Sequence, residues 1–186
     1  MRRTIQTLEE SFGKYQNFID KKIEVVFMSD LREMIVSNCD LAFWTEEEKQ
    51  YIKNPEILSS LEKFLETQQN PNLWFLENCS KEIQDKAKSL LANTQNLEEQ
   101  KAVLLRQIYN LGEDRFEDQK SFYERVQIAK DSVVKFVKDH NLKDDELLVI
   151  SHCNTLKSFT AVTHTHDYAP EDYIRFDNAQ LNSFEL

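Results

Sequence analysis

Apolar residues recur along most of this chain at three- and four-residue spacing, the pattern of helices that bury one face. Ile5, Leu8, Phe12 and Tyr15 predict a first helix from about Arg3 to Phe18. Ile57, Leu58, Leu61, Phe64 and Leu65 predict another over Pro55 to Leu65, and Ile83, Ala87, Leu90 and Leu91 a third over Ser80 to Leu91. Leu97 to Leu111 reads as a helix that Gly112 closes. The longest runs from about Glu117 to His140, with Phe122, Val126, Ala129, Val133 and Val137 as its core stripe. A short acidic helix through Ile52 is capped by Thr45, with Glu48 completing a capping box. Asn70-Pro71-Asn72 makes a turn, after which Leu73 to Leu76 is a short apolar segment packed under the loops.

Three stretches depart from helical spacing. Ile23 to Met28 is β-branched and apolar enough for a short strand, followed by a polar loop from Ser29 to Glu33. Leu147 to Ile150 is a continuous apolar run, which predicts a strand buried on both faces. Asn178 to Leu186 alternates and predicts a final strand. The run at Leu147 stops at Ser151-His152, and Ser151 or Asn154 caps a helix from Thr155 to Val162. Backbone N–H groups and the helix dipole converge just past such a strand end, where open α/β sheets bind anions. His152 is therefore either placed for chemistry or a buried histidine satisfied by hydrogen bonds.

Composition narrows the classes. At 186 residues, 40% hydrophobic and 30% charged, the chain is expected to form one domain, 1–186, around a real core. Only 2 glycines and 3 prolines are present, which suits a helix-rich chain. The net charge of −10 argues against nucleic acid or an anionic membrane surface as partner. Three cysteines, Cys39, Cys79 and Cys153, lack C-x-x-C spacing and predict reduced thiols in a cytoplasmic protein. No apolar run approaches the roughly 20 residues of a membrane span, and no signal peptide is visible.

Several separated pieces, in order, resemble the histidine phosphatase superfamily in its phosphoglycerate-mutase-like branch. Arg3-Thr4-Ile5-Gln6-Thr7 resembles the family's R-[AT]-x-Q-T helix start, and Leu31-Arg32-Glu33 its L-R-E after a strand. Leu148-Val149-Ile150-Ser151-His152 resembles the V-x-S-H-G of the second histidine. The tail Asn178-Ala179-Gln180-Leu181-Asn182-Ser183-Phe184-Glu185-Leu186 resembles N-A-x-[IL]-x-x-[FL]-x-L, and Phe122 to Val126 the helix before the histidine strand. The resemblance implies an α/β three-layer sandwich, helix-rich, with a mostly parallel sheet and an antiparallel C-terminal strand. It also implies a phosphate-monoester hydrolase or mutase without cofactor or metal.

Residue by residue, the resemblance makes Arg3 a bidentate phosphate ligand. It makes His152 the pocket histidine that donates to the phosphoryl group, and Glu33 the acid that protonates the leaving oxygen. The structural alternatives are a solvated arginine, a buried histidine and a loop carboxylate; Arg32 reads as structural. Two departures bear on activity. The family opens with a strand ending in R-H-G, whose histidine is phosphorylated, and none of the 4 histidines here sits in an R-H-G. Cys153-Asn154 also stands where glycine usually follows the second histidine, crowding a backbone meant to approach phosphate. The expectation is a sheet truncated at its N-terminal strands, either a piece of a longer protein or a form that has lost them. Ile23 to Met28 then either pairs directly with Leu147 to Ile150, or the two stay apart and the open edge needs covering.

The expected ligand is a phosphate monoester or phosphate ion; the alternative is a non-catalytic interaction subunit whose protein partner covers that open edge. His164 and His166, two apart, share one face of any strand there, but no third metal ligand is evident. Cys153 stands at a helix start without the C-x₅-R spacing of a cysteine phosphate loop.

Overall fold

The computed structural model describes residues 2–13, 23–35, 49–76, 79, 81–110, 117–142 and 147–175. These form a helix-rich structure with six α-helices: α1 Arg2–Phe12, α2 Pro55–Glu66, α3 Lys81–Leu91, α4 Leu97–Asn110, α5 Gln119–Asp139 and α6 Cys153–Thr160. Two 3-10 turns, Ser29–Leu31 and Pro71–Leu76, interrupt the connections. Among the described residues one sheet forms, the antiparallel pair β1 Thr163–His164 and β2 Pro170–Glu171. No helix among them is long and apolar enough to cross a membrane.

The helix starts and stops follow local chemistry. Asn54 caps α2, its Oδ1 accepting from the N–H groups of Glu56 and Ile57, with Pro55 at the first helical position. Asn54 also donates from Nδ2 to the Gly13 carbonyl at 2.8 Å. Glu9 of α1 accepts from the Lys53 and Asn54 N–H groups at 2.7 and 2.8 Å. Thus α1 ends where α2 begins, held by three side-chain bonds. Gly13 is needed there: a Cβ would meet the Glu9 carbonyl oxygen at 2.6 Å. Asp118 caps α5 by accepting from the Ser121 N–H, and His140 closes it.

Two apolar clusters result. The larger joins Ile5 of α1 and Ile57, Leu61 and Leu65 of α2 to the buried turn Leu73, Trp74 and Phe75, with Ile83 and Ala87 of α3, Leu104 of α4 and Ile35. The smaller packs Phe122, Val126 and Val133 of α5 against Phe159 of α6 and Met34. Met34 and Ile35 are adjacent in sequence yet belong to different clusters, so the segment 29–35 is the seam between them.

The predicted helices therefore form, within a residue or two at their described ends, except that α1 stops at Phe12, short of the expected Phe18, with Gly13 in a turn. The two predicted strands that fall among the described residues do not. Residues 24–28 and 147–150 are irregular, without a β-ladder among the described residues. Leu147 and Leu148 are 37% and 45% exposed, so that run is not buried on both faces. An apolar run becomes a buried strand only when a neighbouring strand takes up its N–H and C=O groups, and no described strand lies alongside. The mostly parallel sheet is thus absent from the described residues. The helix at His152 starts at Cys153 and ends at Thr160, with His152 at its N-cap. Neither Ser151 nor Asn154 caps it, because the Ser151 hydroxyl is drawn away to the Leu31 carbonyl. Past α6 the chain forms the β1–β2 hairpin, paired Thr163 with Glu171 and His164 with Pro170. Residues 14–22, Thr45 to Glu48, Gly112 and the expected strand Asn178 to Leu186 lie outside the described residues.

Candidate functional site

The seam carries an unusual amount of charge for a buried place. Glu117, fully buried, faces two arginines that are themselves almost fully buried. Arg32 donates Nη1 to Glu117 Oε2 at 2.9 Å and Nη2 to Oε1 at 3.0 Å. Arg125 donates Nε to Oε1 at 2.9 Å and Nη2 to Oε2 at 3.1 Å. The Ile35 N–H adds a fifth donor at 3.1 Å. Each arginine thus makes a bidentate, charge-assisted pair with one carboxylate. Burial opposes ionisation of Glu117, but the two guanidiniums outweigh it and bring its pKa from 4.5 to about 2.

The remaining donors of the arginines are also used. Arg32 donates Nε to the Phe75 carbonyl at 3.1 Å and Nη2 to Cys79 Sγ at 3.0 Å. Burial pushes the Cys79 thiol up, and its S–H reaches the Phe75 carbonyl at 3.3 Å. Arg125 is lowered by its own burial and by Arg32, whereas Glu117 overcomes burial to raise Arg32. Asp30, half-buried beside both, is raised by burial against their attraction.

On the other side of the seam lies the pair expected from the sequence. Glu33 Oε2 stands 3.7 Å from His152 Nδ1, with side chains 13% and 11% exposed. Glu33 Oε1 accepts from the Met34 N–H at 3.0 Å, which fixes the carboxylate's other end. At 3.7 Å the pair is an electrostatic contact rather than a hydrogen bond, attractive once the imidazole is protonated. His152 is the N-cap of α6, its carbonyl accepting from the Leu156 N–H at 2.9 Å. A helix N-terminus carries partial positive charge and favours anions. An acid–base pair at such a point can bind an oxyanion and exchange a proton with it.

Arg3 does not share this contact. It lies exposed on α1, and among the described residues no hydrogen bond or ion pair engages its guanidinium. The link to the pair is indirect: Ile5 of α1 packs in the same cluster as Ile35, two residues past Glu33. Cys153 is exposed beside His152. His164 stacks edge-on against Tyr123 at 4.6 Å and lies 3.4 Å from the Ser158 hydroxyl, while His166 is exposed in the turn. Burial and Lys130 lower the His164 pKa. Among the described residues no group of three or more His, Cys, Asp or Glu is placed to hold a metal.

Arg32 reads as structural from the sequence, but nothing near it in the sequence points to Glu117 and Arg125 as its partners. A signal was present. Arg125 falls three residues after Phe122 and one before Val126, inside the apolar stripe of α5, where a charge demands a buried counter-ion. Compared with known proteins, the chain matches no protein-family profile, no curated protein and no solved structure.

Proposed function

We propose that this chain is a histidine-phosphatase-like domain on a phosphoglycerate-mutase-like sandwich, which holds a phosphate monoester or phosphate ion at the start of α6. The observation that carries the reading is the approach of Glu33 to His152 at 3.7 Å on a helix N-terminus, from segments far apart in sequence. His152 donates to the anion's oxygens, the helix end adds positive potential, and Glu33 is the proton carrier. Arg3 enters the reading through its motif and supplies a second cation. The 186 residues contain no R-H-G, so the covalent step lacks its nucleophile within them and the expected behaviour is binding without turnover.

Calorimetric titration with inorganic phosphate and with orthovanadate tests this. Saturable binding is expected, weakened by about tenfold or more in His152→Ala, since a hydrogen bond to a charged group contributes about 1.5–3 kcal/mol. Binding that is absent, or equal in wild type and variant, rejects the reading. Arg3→Ala in the same titration decides whether that arginine belongs to the site.

The exposure of Val26, Leu147 and Leu148 favours a second reading, a non-catalytic subunit that offers apolar surface to a protein partner. Under it, phosphate binding is absent and Leu148→Asp lowers self-association or aggregation, measured by sedimentation velocity.

A further inference from the structure

We infer that Ser151 and Thr155 are positioning residues whose hydroxyl groups set the Glu33 carboxylate against the His152 imidazole; the inference rests on reading that pair as the site. Residues 29–35 have no ladder partner among the described residues, so strand pairing does not fix where Glu33 sits. Side chains do it instead. The Asp30 carbonyl accepts from Arg125, and the Leu31 carbonyl from the Ser151 hydroxyl. The Arg32 carbonyl accepts from Thr155 Oγ1 at 2.8 Å and Arg125 Nη1 at 3.0 Å. The Glu33 carbonyl accepts from Arg32 Nη1 at 2.9 Å and Arg125 Nη2 at 3.4 Å. Four consecutive carbonyls are thereby held without a neighbouring strand, which answers the backbone's demand for partners.

The division of labour is geometric. The arginines come from within the segment and from α5, so they anchor it to the core without reference to His152. Ser151 and Thr155 flank His152, one before it and the other in the first turn of α6. They grip the two carbonyls immediately before Glu33. These two bonds straddle the histidine and tie α6 to the seam. Thr155 is wholly buried. A shift of under an ångström at either bond changes a 3.7 Å charge contact appreciably, because the attraction falls with distance in a poorly solvated place.

The experiment is an NMR pH titration of the His152 imidazole in the full chain, with and without Glu33→Gln. The fall in midpoint on Glu33→Gln measures the coupling of the pair. Thr155→Val removes the hydroxyl but leaves the Arg32 carbonyl its bond from Arg125, so the backbone stays satisfied. Expected is a clear coupling in the parent background, at least halved by Thr155→Val, restored by Thr155→Ser, and similarly reduced by Ser151→Ala. A merely structural hydroxyl lowers the melting temperature and leaves the coupling intact. Coupling that is absent in the parent, or unchanged in the hydroxyl variants, overturns the inference; if Thr155→Val fails to fold, Ser151→Ala decides alone. Adding inorganic phosphate to the parent separates the two readings: an intact, hydroxyl-dependent coupling without phosphate shifts rejects phosphate binding and leaves the positioning role standing.

Discussion

Replacing Glu117 by glutamine removes one negative charge from a place where two guanidiniums converge. The amide keeps the shape, but its NH₂ meets arginine donors, and because each arginine spans both oxygens, both bidentate pairs are reduced to single bonds. Breaking a buried ion cluster by removing one partner typically costs about 3–5 kcal/mol, because the surviving charges stay desolvated. The ionisation of Glu117 gives an independent figure. Its pKa falls from 4.5 to about 2 on folding, and Glu117 is fully buried, so no allowance for solvent screening is due. At 1.36 kcal/mol per unit this is about 3 kcal/mol, in line with the first estimate. A depressed carboxylate stabilises the fold fully above its unfolded pKa, and that stability drains away as pH falls from about 4.5 toward 2. The gap in unfolding free energy between the parent and Glu117→Gln is therefore expected to be about 3–5 kcal/mol at pH 7 and to shrink by about 2 kcal/mol at pH 3. Urea denaturation followed by far-ultraviolet circular dichroism at the two pH values measures it. A gap under about 1 kcal/mol at pH 7, or one that does not shrink, would refute the reasoning.

Two further outcomes are expected. Asn54→Ala removes the α2 cap and the tie to Gly13, and the urea midpoint should fall by the equivalent of about 1–2 kcal/mol; Asn54→Asp keeps the cap and recovers part of it. Purified protein of these 186 residues should not hydrolyse p-nitrophenyl phosphate above background, and robust hydrolysis abolished by His152→Ala would show that a nucleophile other than an R-H-G histidine is at work.

The helices were legible because their signal is local. The stripe of Phe122, Val126, Ala129 and Val133 states which face of α5 is buried without reference to any other residue. The approach of Glu33 to His152 was legible only through the order of motifs, since nothing local to Leu31-Arg32-Glu33 says what lies opposite. The strands expected at Ile23 to Met28 and Leu147 to Ile150 fail for the complementary reason. Four apolar residues at Leu147 to Ile150 specify a wish for burial, but a ladder needs a partner that their own sequence does not contain. The charged cluster needed one more step, the recognition that a charge in a buried stripe implies a distant counter-ion. Arg32 and Glu117 are 85 residues apart, too far for any spacing rule to connect them.

The seam has a further consequence. Arg32 and Glu33 are neighbours of opposite charge pointing to opposite sides, one toward Glu117 and the other toward His152. In extended backbone a slip of one residue exchanges the two sides. Slipped one way, the segment would set the Glu33 carboxylate against that of Glu117 and Met34 against the imidazole; slipped the other way, it would set Leu31 against Glu117 and a guanidinium against the imidazole. Either slip loses both attractive contacts at once. An apolar trio at positions 32, 117 and 125 could hold the cores together as well or better, yet it would accept either frame. The buried charges thus act as an address: they tell the chain which residue of the segment belongs inside, and only one reading frame satisfies both faces.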